Sequence, residues 1–455
     1  MTSLRKSGQA SCSASGSGGV PRRSLLKGMG LGALSLPAGV ALASCSDPAG
    51  SGTAGGAPAG DAKVVLASVP TTTNEYFTLW QAGGSEAAEA LGLTYRMQSY
   101  NGSSATQIEQ LRSASTAGVG QVVTFPINND AVRQMGQSLS GQDIKLVTAF
   151  AATAWMVPAE TIYGNDYVTL FTPREVLGQK AMSEAVFEAI GGSGNVLYLQ
   201  GAPTNRTSLL RESGFDQAVA AYPGIKVLDR QNGNENGQDT RPVVQAWMSK
   251  YDNIDAIISH NSSSALGAVS VLEEAGNTHI KVGGTDEIAV MLDKLISGPN
   301  VVACQSIFGI WLGGYGVVRN YDAMNGVPHD PVEEMIFQDS LVIDTPDAAK
   351  EYKRITNQGS TGFDWKAMSR HLNPDAWDSQ VAIAPIDPVP FFEQDLKAPK
   401  PADYSFPDAL QKSLDAGKVQ SIGAEYQQHV RKNPYAAAIK LTSTGKTVFG
   451  ISYDA

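Results

Sequence analysis

Residues 63–77, KVVLASVPTTTNEYF, decide the fold, because they join a short apolar run to a polar loop that carries two rings. The β-branched run predicts a strand over 63–69, which ends at the turn signal of Pro70, and a helical pattern follows over 79–91. This is the first strand–loop–helix step of a parallel sheet. Ligands of such sheets bind beyond the carboxyl ends of the strands. Threonines, Asn74 and the two rings at that end suit a sugar, although the rings would equally serve as a cap on the core.

The same alternation of strand and helix continues along the chain, with one irregular interruption at 149–165. Strands with intervening helices imply parallel crossovers and sheets covered on both faces. The predicted strands are 63–69, 94–98, 121–125, 144–148, 167–171, 195–200, 226–230, 256–259 and 280–283. The pattern therefore predicts an α/β protein with two successive lobes, and the cleft between them is the expected site.

Length and charge narrow the class of protein. The 455 residues exceed one ordinary domain, and a hydrophobic share of 42% with 47 glycines fits a turn-rich α/β protein. The formal charge is −10, although the first 44 residues hold five basic groups and no acid. The remainder is therefore strongly acidic, which argues against a nucleic-acid partner, because such binding needs a basic surface.

The N-terminus has the pattern of an export leader. Arg22-Arg23 precedes an apolar Gly/Ala-rich segment that ends in Leu42-Ala43-Ser44-Cys45, which resembles a bacterial lipobox. This predicts a twin-arginine lipoprotein signal peptide over 1–44, lipidation at Cys45, a flexible linker over 45–62, and an extracytoplasmic protein held to the membrane by its lipid. The alternative is a transmembrane anchor, but Lys27 and Pro37 interrupt the apolar segment.

The cysteines support this interpretation. Removing the leader deletes Cys12 and lipidation uses Cys45, which leaves Cys304 alone and unable to form an internal disulfide. Cys304 lies in an apolar run, so we expect a buried small hydrophobic residue. No Cys/His spacing typical of a metal site is present. We therefore predict no metal, no cofactor and no catalytic residue.

Seven short motifs together carry a family resemblance. They are Thr73-Asn74-Glu75-Tyr76-Phe77, Pro126-Ile127-Asn128-Asn129-Asp130-Ala131-Val132, Val176-Leu177-Gly178, Arg211-Glu212-Ser213-Gly214-Phe215, His260-Asn261-Ser262-Ser263-Ser264-Ala265-Leu266-Gly267-Ala268, Val282-Gly283-Gly284-Thr285-Asp286, and Gln305. With this order and spacing, the core from residue 63 to about 324 resembles the periplasmic sugar-binding proteins of the ribose-binding type, the solute receptors of ABC importers.

The resemblance implies a type I periplasmic binding protein, with two doubly wound parallel-sheet lobes joined by a hinge. We expect the N-terminal lobe to comprise 63–150 and about 287–306. The C-terminal lobe would comprise 151–286 and about 307–337. Residues 338–455 lie beyond the resemblance, but they are too rich in aromatic side chains for a disordered tail. We expect them to form a C-terminal extension packed on the lobes.

The resemblance also implies the ligand-binding residues. The rings would stack on the apolar face of a sugar, the arginine would donate to neighbouring hydroxyls, and the amide and carboxylate groups would exchange hydrogen bonds with them. The positions that match the family are Asn74, Tyr76, Phe77, Arg211, Asn261, Asp286 and Gln305.

Structural roles remain open for most of these positions. Asn74 and Asn261 would also serve as helix caps, and the rings at 76 and 77 would also serve as core. Arg211 would pair with Glu212 or Asp216 on a solvated helix. Asp286 is displaced by one residue from the family spacing, whereas the amide of Gln305, in an apolar strand, needs a partner.

One departure from the family concerns the ligand. Where relatives carry an acid–arginine pair after the fourth strand, this chain has Phe150-Ala151. The following insertion supplies Trp155, Tyr163 and Asp166, which would refill the site from another direction. We therefore add Phe150 and Trp155 to the predicted site, and we expect a polyol, a modified sugar or a glycoside in place of ribose.

These observations predict a monomeric binding protein that captures a carbohydrate-like small molecule and delivers it to an ABC transporter permease. The same receptor would alternatively report to a membrane signalling protein. An exported glycoside-acting enzyme would need two carboxylates around the scissile bond, and the motifs supply only Asp286. A repressor of this fold is disfavoured, because an export leader stands where a DNA-binding domain would be.

Overall fold

The computed structural model describes residues 63–128, 131–150, 152–203 and 205–453. The predicted signal peptide, the linker, Cys45 and Ala151 lie outside the described residues. Within the described ranges, none of the helices has both the length and the apolar character required to cross a bilayer.

Two sheets organise the described chain, as the sequence predicts. The first has the strand order β13-β11-β5-β4-β3-β1-β2, and the second has the order β12-β10-β9-β8-β6-β7. The strands are β1 (Val64–Val69), β2 (Thr94–Ser99), β3 (Val119–Thr124), β4 (Lys145–Ala149), β5 (Tyr167–Pro173), β6 (Ser193–Gln200), β7 (Gly224–Asn232), β8 (Ala256–Ser259), β9 (Lys281–Thr285), β10 (Val301–Ser306), β11 (Met335–Gln338), β12 (Leu341–Ile343) and β13 (Ile383–Pro385). All neighbours pair in parallel except the edge strands β12 and β13, which are antiparallel.

Helices cover the faces of these sheets. They are α1 (Glu75–Ala90), α2 (Ser104–Arg112), α3 (Ala131–Leu139), α4 (Glu175–Ala189), α5 (Arg206–Ala221), α6 (Gly237–Lys250), α7 (Ser262–Glu274), α8 (Ala289–Ser297), α9 (Gly309–Met324), α10 (Pro346–Thr356), α11 (Trp365–Met368), α12 (Pro388–Pro390), α13 (Asp408–Asp415), α14 (Lys418–Gln428) and α15 (Ala436–Lys440). The central strands, such as β1, β3, β5 and β8, are buried on both sides, and this is typical of strands in a parallel sheet that helices cover.

The α1 and α9 helices lie unusually close together. A side chain at Gly83 of α1 would collide with the backbone of Ile310, and one at Gly313 of α9 would collide with the backbone of Trp80. Both helices begin beside the boundary between the sheets. Their close packing therefore fixes the first turn of α1, which carries Tyr76 and Phe77.

The predicted lobe boundaries are wrong. β5 belongs to the first sheet and β10 to the second, so the chain passes between sheets at 173–175, 306–309 and 338–341, not at 150 and 286. It passes once more between β12 and β13. The irregular segment 149–165 suggested a domain break, but it is an insertion that returns to the same sheet. The crossovers touch one another, because Gln338 Nε2 donates to Ile307 O at 2.6 Å and Arg174 N donates to Gln338 O at 3.3 Å.

The extension, described over residues 338–453, contacts both lobes. α10 packs on α8 of the second lobe, and α11 packs on α1 and α9 of the first. Thr361 N donates to Glu86 Oε1 of α1 at 2.8 Å, and Trp311 Nε1 of α9 donates to Ser379 O at 2.7 Å. The extension also supplies both antiparallel edge strands, so it is part of the sheets themselves.

Candidate functional site

The first predicted loop is in fact the start of a helix. Asn74 is the N-cap of α1, and its Oδ1 accepts a hydrogen bond from Tyr76 N at 2.8 Å. The cap starts the helix at Glu75, four residues before the hydrophobic periodicity suggests, because a capping side chain satisfies a free N–H of the first turn. As a result Tyr76 and Phe77 project from a rigid turn.

Four rings form one aromatic wall on the first lobe, composed of Tyr76, Phe77, Phe125 and Phe150. The centroid distances are 5.3 Å for 76–77, 5.6 Å for 77–125, 5.0 Å for 125–150 and 6.3 Å for 76–150. Each ring therefore touches two others in a closed circuit. Three of these four pairs meet edge to face, which suits the aromatic quadrupole.

Phe150 occupies this wall at a conformational cost. Its φ is +69°, in the left-handed region that a bulky side chain rarely adopts. Its N–H donates to Phe171 O at 2.8 Å, and the side chain is buried. Strained positions of this kind tend to occur at ligand sites. The structure thus places Phe150 where the departure from the family pattern predicted a change in the site.

Arg211 and Glu175 form a buried ion pair on the second lobe. Arg211 Nε donates to Glu175 Oε2 at 2.7 Å and Nη2 donates to Oε1 at 3.0 Å, while Nη1 donates to His260 O at 2.9 Å. Burial alone would lower the pKa of Arg211, but Glu175 and Asp286 raise it above its usual value. The guanidinium is therefore permanently charged and held in one orientation.

The solvated pairing considered for Arg211 is wrong. Glu212 and Asp216 both accept hydrogen bonds from Arg230, at 2.8 and 2.5 Å. Arg211 itself is only 3% exposed. The pairing was missed because Glu175, at the start of α4, is distant in sequence and only the fold brings it to α5.

Asn261 acts as both a cap and a cavity residue. Its Oδ1 accepts from Ser264 N at 3.0 Å at the start of α7, and its Nδ2 donates to Glu235 O at 3.0 Å. Asn205 has the same double role on α5, since its Oδ1 accepts from Thr207 N at 3.0 Å and its Nδ2 donates to Glu235 Oε1 at 3.2 Å. The capping alternative is correct for Asn261, and it does not remove the residue from the cavity.

Asp286 directly follows the β9 strand and has an unusual backbone conformation. Its φ is +92°, and its carbonyl oxygen accepts from Ser262 Oγ at 2.6 Å and from Cys304 Sγ at 3.2 Å. Cys304 is fully buried, as predicted. The backbone of Asp286 is therefore fixed, and its half-buried side chain faces the cavity. The neighbouring Glu287 points elsewhere, accepting from Ile307 N at 2.9 Å and Gly309 N at 2.6 Å.

These groups enclose a cavity of about 130 Å³ between the lobes. Its lining comes from the carboxyl ends of strands in both sheets, the position at which α/β folds bind ligands. The lining residues are Asn74, Tyr76, Phe77, Phe125, Phe150, Asn205, Thr207, Arg211, Glu235, His260, Asn261, Asp286 and Ile307. The volume lies below the roughly 300–1,000 Å³ of drug-sized sites, so the cavity fits only a small ligand.

Two predicted residues lie elsewhere. Trp155 packs against the C-terminal extension, where its Nε1 donates to Ala398 O at 3.0 Å and its ring meets Phe392 at 5.2 Å. Gln305 is fully buried behind the cavity, where its Oε1 accepts from Thr285 Oγ1 at 3.0 Å and its Nε2 donates to Ser340 Oγ at 3.2 Å. The buried amide of Gln305 therefore has hydrogen-bond partners, as predicted, but they are protein side chains and not a ligand.

The other insertion residues also fail to refill the site. Tyr163 is fully buried against Tyr167 at 5.5 Å, and Asp166 pairs with Lys145 at 2.8 Å. Their role is to pack the first sheet.

Sequence reasoning missed Phe125, Asn205, Glu235 and His260 as lining residues. Phe125 and His260 each follow directly on a strand, at β3 and β8, so the rule about strand ends would have found them. Glu235 lies in a turn at φ +58°, and no periodic pattern marks it.

Comparison with known proteins identifies the family. Residues 65–303 match the family described as periplasmic binding protein domain. The xylitol-binding protein of Mycolicibacterium smegmatis is 27% identical over 226 residues, which cover 50% of this chain and 62% of the relative. The D-apiose import binding protein of Actinobacillus succinogenes is 23% identical over 281 residues, which cover 62% of this chain and 88% of the relative.

Solved structures share the fold. A twin-arginine translocation pathway signal protein from Burkholderia phytofirmans superposes with a TM-score of 0.60 and 24% identity, over 65% of this chain and 94% of that one. The myo-inositol binding protein of Caulobacter superposes with a TM-score of 0.56 and 20% identity, over 67% and 100%. With the matching domain spanning more than half of its length and both sheets in the order described, this chain belongs to the periplasmic binding protein family and has the two-lobed type I fold.

Proposed function

We propose that the protein is an extracytoplasmic solute-binding lipoprotein that captures a small sugar-like ligand, a polyol or a modified sugar, and delivers it to an ABC transporter permease. The observation that carries the proposal is that the two lobes line the cavity with different kinds of side chain. The first lobe supplies the aromatic wall, and the second supplies Arg211, Asn261 and Asp286. A hydroxylated ring with one apolar face complements both halves.

The geometry also supports closure of the two lobes when the ligand binds. A molecule that touches rings on one lobe and hydrogen-bonding groups on the other favours the closed arrangement by its contacts to both. Glu75 Oε1 of the first lobe already accepts from Ala289 N, at the start of α8 in the second lobe, at 2.5 Å. Ligand and protein contacts would then act together at the same boundary.

Isothermal titration of the full-length protein with pentoses, hexoses, pentitols and inositols tests the proposal. We expect saturable binding by at least one member and a rise in melting temperature with its concentration, since ligand binds the folded state. Absence of binding across the panel at 10 mM would overturn the carbohydrate assignment.

A second experiment tests the location and the partner. Cys45→Ala should release the protein from the membrane fraction, and it should lower uptake of the identified ligand by whole cells. Retention of Cys45→Ala in the membrane fraction would contradict lipidation. A bound ligand that is not taken up would favour a signalling receptor over a transporter.

A further inference from the structure

The charges that face the cavity do not balance. The charged or titratable groups of its lining, apart from Tyr76, are Arg211, Glu235, His260 and Asp286. Glu175, behind the lining, already engages Arg211 through two hydrogen bonds. The positive charge is therefore compensated before any ligand arrives.

Asp286 presents an unsatisfied carboxylate. Among the described residues, no group donates a hydrogen bond to its side chain, although its backbone is held on both sides. Burial raises the pKa of this carboxyl to about 7, against the opposing charge of Arg211 and with the help of Glu287, Glu175 and Glu235. Its free oxygens lack the donors that a carboxylate needs.

Glu235 presents a second carboxylate with a free oxygen. Its Oε1 accepts from Ala202 N at 3.0 Å, Asn205 Nδ2 at 3.2 Å and Ser208 Oγ at 3.2 Å. No hydrogen bond reaches Oε2 from the part of the chain that the structure describes. The side chain is 33% exposed, so this oxygen is open to a ligand.

His260 does not supply the missing positive charge. Burial and the charge of Arg211 lower its pKa well below the usual value, so the ring is neutral. Its Nδ1 is buried and has no partner among the described residues. The hydroxyl of Tyr76, only 7% exposed, likewise has no partner there. The cavity thus offers two carboxyl groups with open oxygens, a neutral imidazole and a phenol.

From this arrangement we infer that the ligand carries a protonated amine beside its hydroxyl groups, as an amino-sugar or an amino-polyol does; the inference rests on the proposed function. An ammonium has three donors and no acceptor, which matches oxygens that lack donors. The rings of Tyr76 and Phe150 line the same cavity, and an aromatic ring attracts a cation placed over its face. An acidic sugar would instead meet carboxylates of like charge.

Matched ligands test this on the wild-type protein. Titration calorimetry at pH 7 would compare glucose, glucosamine, N-acetylglucosamine and glucuronate, and likewise sorbitol, glucamine and gluconate. We expect the amine of at least one series to bind at least tenfold more tightly than its neutral counterpart. Acetylation should abolish that preference, and the acid should bind most weakly.

Substitutions test which residues produce the preference for the amine. Asp286→Asn and Glu235→Gln should each reduce the amine preference at least fivefold, whereas Asp252→Asn, the same change at an exposed position, should leave it unaltered. Equal or tighter binding of the neutral member in every series would overturn the inference and leave the proposed function standing. Failure of all these ligands, together with failure of the pentoses, pentitols and inositols of the wider panel, would overturn both.

Discussion

Arg211 and Glu175 are joined by two parallel hydrogen bonds, of 2.7 and 3.0 Å, in a position that solvent barely reaches. The pair links α4 to α5 and presents the guanidinium to the cavity. A buried pair of this kind adds little net stability as a unit, but removing one partner leaves a buried charge uncompensated.

We therefore expect Glu175→Gln to lower the free energy of unfolding by about 3–5 kcal/mol. Denaturant titration of the ligand-free protein would measure it. Glu212→Gln is the matched control, because that carboxylate pairs with the half-buried Arg230, and its loss should cost about 1 kcal/mol or less. Equal effects of the two changes would show that burial of the Arg211–Glu175 pair does not raise the cost of breaking it.

Tyr76→Phe removes only a buried hydroxyl that has no partner among the described residues. If that hydroxyl binds ligand, affinity should fall about 2- to 13-fold, since one neutral hydrogen bond contributes about 0.5–1.5 kcal/mol. Titration with the identified ligand measures it. Tyr198→Phe is the control, because it removes another buried hydroxyl without a partner among the described residues. The Tyr198 ring stacks on Phe215 with a centroid distance of 4.3 Å and does not line the cavity, so affinity should be unchanged.

Phe150→Leu keeps an apolar side chain but removes a ring from the aromatic wall. We expect ligand affinity to fall about 2- to 13-fold, because aromatic contacts contribute about 0.5–1.5 kcal/mol beyond the effect of the buried area. Phe187→Leu, in the core of the second lobe, should lower stability without changing affinity. A loss of affinity confined to Phe187→Leu would place the ligand elsewhere.

Gln305→Ala should destabilise the protein by about 1–3 kcal/mol, because it strips Thr285 and Ser340 of a buried partner. Since the amide does not line the cavity, ligand affinity should change less than twofold. Paired thermal melts and titrations separate the two effects. A large loss of affinity at unchanged stability would restore the ligand contact that the family pattern predicted.

Asp286 should make the ligand-free protein less stable as pH rises from about 4 to about 7. Its pKa is about 7 when folded, against about 3.9 in an unfolded chain, so in this window the folded state holds the extra proton. Asp286→Asn should flatten part of the decline, and Asp339, whose buried carboxyl also has a pKa of about 7, should account for another part. Melting temperatures at pH 5, 6, 7 and 8 measure the slopes, and an identical slope in Asp286→Asn would refute the assignment.

Most of the parallel strands were predictable from sequence, and the predicted strands at 94–98 and 256–259 fall on observed strands almost without displacement. The short strands β11, β12 and β13 were not predicted. The lobe assignment failed because hydrophobic pattern specifies what is buried, not which sheet buries it. β5 and β10 are apolar in either sheet, and only their pairing partners decide.

The residues of the candidate site also fall into two groups, those that the sequence identified and those that only the tertiary fold reveals. Residues tied to a strand end or a helix start, such as Asn74 and Asn261, could be found from local chemistry and family resemblance. Trp155 was misplaced because its partners, Phe392 and Tyr404, lie more than two hundred residues away in the extension. Glu175 and Glu235 needed the tertiary fold, since their importance comes from what they face.

The edge strand β13 has a consequence for how the protein is made. It pairs with β11, so the sheet that begins at Val64 is not finished until residues 383–385 have joined it. Contacts this distant in sequence slow folding. Until they form, β11 exposes an unpaired edge that can recruit a strand from another molecule. The newly synthesised chain is therefore most prone to aggregate before residues 383–385 have been made, when more than 70 residues are still to come.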